Sequence, residues 1–114
     1  MISKTKIKTT KIKTKKYNYL EVAKIYKIFS NATRLEIIFI LSDKEESFAN
    51  LLKILKISKS SLSQHINTLS MIGFVEVEKK GRNIYCKTSS EKISKMIKAF
   101  KALLDNHEIV FKRR

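Results

Sequence analysis

The chain has 114 residues, no proline and only two glycines, Gly73 and Gly81, which stand close together. Backbone breakers are thus confined to one short window, so helices should dominate everywhere else. Gly73 follows an apolar series, Leu62, Ile66, Leu69 and Ile72, at helical spacing. It falls where that helix must stop, at the position that commonly turns left-handed and favours glycine. The run after it, "FVEVEKKGRNIYCKT" (74–88), sets Val75 and Val77 against Glu76 and Glu78, turns at "KKGRN", and resumes with Ile84, Tyr85 and Cys86. Gly81 supplies the positive φ of a tight hairpin, so this window reads as two β-strands.

Upstream, Leu20, Ala23, Ile25, Ile28 and Phe29 mark a first helix from Tyr19 to about Ser30. Asn31 can cap a second, in which Leu35, Ile37, Ile38, Ile40 and Leu41 are nearly continuous, so this helix should be buried on most sides and lie at the centre of the core. "SDKEE" (42–46) breaks the pattern, and Ser47 can cap a third helix carrying Phe48, Leu51, Leu52 and Leu55. After the short link "KI", Ser58 can cap a fourth. From Ser90 to about Asn106 a last helix bears Ile93, Met96, Ile97, Phe100, Leu103 and Leu104. Two helices on so short a link form a helix-turn-helix unit, and a hairpin directly after it makes a winged helix. The expected fold is mainly α with a small β-hairpin, in the order α-α-α-α-β-β-α.

Twenty-five Lys plus Arg against ten Asp plus Glu give a net charge of +15, which points to a polyanionic partner. Residues 1–16 hold seven Lys and no acid. Ile2, Ile7 and Ile12 recur there at a spacing that fits neither helix nor strand, so 1–17 reads as a disordered basic arm, and 109–114 as a basic tail. The same spacing gives no amphipathic helix for a membrane surface. Nothing approaches the roughly eighteen apolar residues of a membrane span, and no signal peptide is evident. With one cysteine, Cys86, no internal disulfide is possible; a reducing, cytoplasmic setting is expected.

The fourth helix has an unusual composition. "SKSSLSQHINTLSMIGF" (58–74) carries five Ser, a Thr, an Asn, a Gln and a His, residue types that weaken a helix slightly but read base edges well. In a helix-turn-helix the second helix enters the major groove with its N-terminal half toward the bases. Lys59, Ser60, Ser61, Ser63, Gln64 and His65 are therefore the candidate reading set, with Ser61, Gln64 and His65 foremost. A merely solvated face is the plainer alternative, and a docked helix before it in so basic a chain weighs against that. Lys79, Lys80, Arg82 and Asn83 at the hairpin tip can grip phosphates or enter the minor groove, or can be charged simply because turns are exposed. Lys11, Lys13, Lys15 and Lys16 of the arm are candidates for non-specific DNA contact, with a solubilising tail as the alternative.

The run 29–88 resembles the ArsR/SmtB family of winged-helix repressors, through "NATRLEIIFIL", "SKSSLSQHINTLSMIGFV" and "KKGRNIYCK". With the flanking helices the likeness extends over 19–106, inside a domain placed at 18–108. It implies a homodimer built by the first and last helices, with Leu20, Ile28, Ile93, Ile97, Phe100 and Leu104 as contact residues, bound to a near-palindromic operator and released by an effector of unknown identity. The long apolar stripe of the last helix independently needs a partner. Many members of the family sense metal through a Cys-x-Cys pair on the third helix or through Asp, His and Glu on the last. Here the first place reads "SFAN" (47–50), and the second offers only Asp105, His107 and Glu108 near the helix end. A borderline metal wants three or four convergent ligands, so no metal or other cofactor is expected, with a site assembled from Asp105, His107 and Glu108 of two subunits as the alternative. Cys86 lacks the partner that redox-sensing members use and reads as a small buried hydrophobe.

A dimeric, sequence-specific regulator of transcription, acting as a repressor, is the reading these features favour. The alternative is a basic winged helix that binds RNA or packages DNA without sequence preference. An enzyme is not indicated: there is no Gly-rich phosphate loop, HExxH or nucleophile elbow.

Overall fold

A computed structural model describes residues 16–112. Lys11, Lys13 and Lys15 of the arm lie outside the described residues, as do Arg113 and Arg114 of the tail. Helices α1 (Tyr19–Phe29) and α2 (Ala32–Asp43) are followed by a short strand β1 (Glu46–Ser47) and helices α3 (Phe48–Leu55) and α4 (Lys59–Met71). Strands β2 (Val75–Lys80) and β3 (Asn83–Thr88) lead to α5 (Glu91–Asp105).

Every one of these helices begins at an Asn or Ser whose side-chain oxygen accepts a backbone N–H of the first turn. Asn18 takes those of Leu20 and Glu21, Asn31 that of Arg34, Ser47 that of Asn50, Ser58 that of Ser61 and Ser90 that of Ile93. Such a cap is worth about 1 kcal/mol against alanine, so the helix starts are fixed locally. The exits are equally defined. At the end of α4 the N–H of Gly73 bonds Ser70 O and that of Phe74 bonds Leu69 O, each at 3.0 Å. This paired closure needs a left-handed residue, and Gly73 has φ +77°.

Between α3 and α4 that conformation is taken by Lys56 (φ +54°), and after α5 by His107 (φ +58°). Neither is a glycine, which is why composition alone did not mark these turns. His107 thereby sits in the exit of α5, its N–H on Leu104 O.

The core draws on α2–α5 and the β2–β3 hairpin, with Ile28 and Phe29 of α1 packed half-buried against it. Ile37, Ile38 and Leu41 of α2 meet Leu51 of α3 and Leu62, Ile66 and Leu69 of α4, with Val75 and Cys86 of the sheet and Ile97 of α5. Leu35 is 38% exposed, so α2 is covered on fewer sides than its apolar run suggested.

The wing has three strands where two were expected. Its antiparallel order is β1–β3–β2, with Glu46 opposite Cys86 and Ser47 opposite Tyr85. Two residues are too few to show any alternation, so "SDKEE" read only as a break. The hairpin closes on Lys80 opposite Asn83, leaving Gly81 and Arg82 as a two-residue loop with glycine (φ +64°) first, as a type II′ turn requires. No described helix is long and apolar enough to cross a membrane.

Candidate nucleic-acid interface

Burial of Leu62, Ile66 and Leu69 fixes which way α4 faces. Opposite them, Ser60, Ser63, Gln64 and Asn67 form an exposed polar stripe that ends in Met71, 85% exposed. Ser60, Gln64, Asn67 and Met71 recur at the four- and three-residue steps that keep one helix face. Asn67 lies just beyond the candidate reading set, which ends at His65. Its spacing from Gln64 was the signal that would have included it.

Of the three foremost candidates, only Gln64 stands on that stripe. Ser61 and His65, one turn apart, are half-buried on one flank of the helix. The backbone N–H of Ser61 is held by the Ser58 cap at 3.1 Å. The Nδ1 of His65 lies 3.2 Å from Nη1 of Arg34. Since guanidinium only donates, Nδ1 is the acceptor and the proton of the neutral ring is assigned to Nε2. Burial first, and the Arg34 charge second, hold the His65 pKa below its ordinary value.

The wing brings its tip to the start of α4. Lys59, Arg82, Asn83 and Ile84 line one cleft of about 190 Å³ together with Ser47, Phe48, Ala49 and Leu52. Lys79, Arg82 and Asn83 are exposed. Lys80 is already engaged: its Nζ donates to Glu45 Oε2 at 3.0 Å, lies 3.9 Å from Glu78 and sits over the Tyr85 ring at 5.0 Å. The hydrogen bond to Glu45 raises its pKa. Between Glu46 and Glu76 the chain has no acidic residue, while Lys53, Lys56 and Lys59 fall within that span. The stretch that runs through α3 and α4 thus carries lysines and no carboxylate. Lys16, the arm lysine within the described residues, is exposed and lies over the Tyr17 ring at 5.7 Å.

The residues expected at a dimer contact divide into three groups. Leu20 (78% exposed), Phe100 (41%) and Leu104 (37%) face outward, and Tyr26 and Met96 add apolar surface on the same two helices. Ile28 and Ile93 are half-buried against the protomer's own core. Ile97, 8% exposed, belongs to that core, so its place among outward contacts is corrected: the α5 stripe is wider than one face, and its inner edge packs on α2.

At 47–50, Ser47 Oγ caps α3 and the Asn50 amide donates to Glu46 Oε1 at 2.6 Å. These side chains offer no thiolate, and among the described residues no three His, Cys, Asp or Glu side chains converge on a point. Cys86 is buried, and burial pushes its thiol pKa up to about 11.

Residues 31–77 match the family model described as bacterial regulatory protein, arsR family. Over 109 residues the chain is 28% identical to the cadmium resistance transcriptional regulatory protein CadC homolog of Staphylococcus aureus, covering 95% of this chain and 88% of that protein. It is 32% identical over 80 residues to the transcriptional activator HlyU of Vibrio cholerae, covering 70% and 74% respectively. The crystal structure of the transcriptional regulator HlyU from Vibrio vulnificus superposes with a TM-score of 0.69 at 31% identity, over 82% of this chain and 97% of that one. A docked helix pair, a three-stranded wing and a polar face turned outward from α4 thus accompany a likeness that spans most of both chains, and the protein belongs to the ArsR family of bacterial transcriptional regulators.

Proposed function

We propose that the protein works in the cytoplasm as a homodimer that reads a near-palindromic operator in double-stranded DNA and represses by occupying it, binding rather than catalysing. The observation that carries this reading is the orientation of α4: Leu62, Ile66 and Leu69 are locked in the core, so Ser60, Ser63, Gln64 and Asn67 point outward together. Gln and Asn reach adenine in bidentate fashion and Ser serves either edge. Lys59, Lys79, Arg82 and Asn83 supply phosphate or minor-groove contacts at the wing side. The arm, residues 1–17 with Lys11, Lys13, Lys15 and Lys16, adds affinity without sequence information.

Leu20, Tyr26, Met96, Phe100 and Leu104 are apolar and exposed on α1 and α5, which supports a two-fold contact through those helices. A dimer so formed sets two α4 helices roughly 34 Å apart, one turn of DNA. The absence of a thiolate pair at 47–50 supports a response that is independent of metal.

The test compares a duplex from the gene's own promoter with a scrambled duplex at two salt concentrations, with and without chelator. A regulator of this kind keeps a preference of order a thousand at physiological salt, unchanged by chelator. Near-equal binding with a steep salt slope for both would instead mark a non-specific nucleic-acid module.

A further inference from the structure

We propose that the groove between the end of α1 and the start of α2, lined by Lys24, Lys27, Ser30 and Arg34, is a second phosphate-binding edge that holds the DNA backbone on the side of α4 away from the wing. The proposal rests on the reading of α4 as a groove helix. That groove has a volume of about 510 Å³ with Ile28 as its apolar floor.

Position comes first. Lys59 and His65 lie on either side of the buried stripe of α4, about 120° apart at 3.6 residues per turn. The Lys59 side shares a cleft with Arg82 and Asn83 of the wing. The His65 side meets Arg34, which lines the α1–α2 groove. A helix seated in the major groove has a phosphate strand along each border, so cations are useful on both flanks. The wing supplies one flank, and the Lys24–Lys27–Arg34 group supplies the other.

Charge comes second. Arg34 is half-buried, and its hydrogen bonds go to neutral acceptors, the Ile28 carbonyl at 2.7 Å and His65 Nδ1 at 3.2 Å. Among the described residues neither Arg34 nor Lys27 has a carboxylate within salt-bridge distance; Lys24 has a solvated pair with Glu21 at 3.4 Å. A partly buried cation without a counter-charge is unfavourable until an anion meets it. The Ser30 hydroxyl is already donated to the Lys27 carbonyl at 3.1 Å, so the three cations around one open groove are what match a phosphodiester. The chain offers them beside the helix that needs a backbone strand there.

The test uses the full chain with Lys24→Gln and Lys27→Gln together, since both side chains are exposed and Arg34 also holds the fold. Affinity is measured for the promoter duplex and the scrambled duplex across a salt series. The expected result is weaker binding to both duplexes by a similar factor, with the slope of log affinity against log salt reduced by about one unit per lysine that meets a phosphate. In a parallel series, single methylphosphonate substitutions outside each half-site should weaken the wild-type protein and leave the double variant indifferent. An unchanged slope overturns the proposal. So does inorganic phosphate that saturates the Lys27 resonances without competing with the duplex, since the groove is then a small-anion site. Failure of the α4 reading shows separately, as wild-type protein that does not prefer the promoter duplex.

Discussion

Arg34, in the first turn of α2, donates from Nη1 to Nδ1 of His65 on α4 at 3.2 Å, while its Nε donates to the carbonyl of Ile28 in the last turn of α1 at 2.7 Å. One side chain thus ties the exit of α1 and the start of α2 to α4. The link works only with a neutral imidazole, because a protonated ring has no lone pair to accept with and adds a second positive charge beside the guanidinium.

Stability should therefore fall on the acid side in a way that depends on His65. Its folded-state pKa lies below the ordinary 6.5, so the unfolded chain binds the proton more readily. The stabilisation is complete above pH 6.5 and is lost as the pH falls through 6.5 toward the lowered value. In His65→Gln the amide oxygen can still accept from Arg34 but does not titrate. Thermal midpoints between pH 5 and 8 should show a steeper acid decline in the wild type than in His65→Gln. Parallel curves would remove His65 as the source.

The helix order and the cap residues Asn31, Ser47 and Ser58 were legible in the sequence because each depends on contacts within a few residues. The same holds for both glycines, which answer a backbone demand of their own turn. What was not legible depended on distant partners. Ser61 and His65 belong to a polar run; each directly precedes an inner residue, Leu62 or Ile66, so helical spacing sets them on a flank, and what no local pattern shows is that Arg34 of α2 meets His65 there. Ile97 shares the periodicity of Phe100 and Leu104, and only the position of α2 distinguishes the inner row from the outer. Glu46 and Ser47 became a strand because β3 offered an open edge, which no local pattern records.

The outward stripe makes Asn67 a stronger determinant than Ser61. Asn67→Ala should reduce affinity for the preferred duplex by about 1–3 kcal/mol with little change on scrambled DNA, as expected for a lost bidentate base contact. Ser61→Ala keeps the Ser58 cap, whose acceptor meets a backbone N–H, and should change the preference by less. A competition assay with both duplexes decides the order. Equal losses for the two variants would place the reading face closer to the flank.

Cys86 lies on β3, the central strand of the wing, opposite Val77 and Glu46, and is fully buried. At neutral pH the thiol should react with iodoacetamide only through opening of the fold, and at full rate in denaturant. Burial raises its pKa from 9.0 to about 11, so the folded state favours the protonated thiol. That contribution is complete below pH 9 and is lost as the pH rises through about 11. The alkaline decline in stability should be shallower in Cys86→Ala than in the wild type. Rapid native-state labelling would show instead an accessible, reactive thiolate.

Lys80 and Arg82 stand two positions apart at the wing tip yet should differ in their effect on DNA binding. The Lys80 ammonium is neutralised by Glu45 at 3.0 Å and rests over Tyr85; to hold a phosphate it must give up that pair, and its net contribution shrinks accordingly. Arg82 is in the turn, exposed, and has no carboxylate within salt-bridge distance among the described residues. Arg82→Ala should lower the salt slope by about one unit, whereas Lys80→Ala should lower it by less. In Glu45→Gln the pair is gone and the ammonium is available, so binding should strengthen, most visibly at low salt. If Lys80→Ala matches Arg82→Ala in slope, Lys80 leaves Glu45 to meet a phosphate, and the pair does not withhold its charge from the DNA.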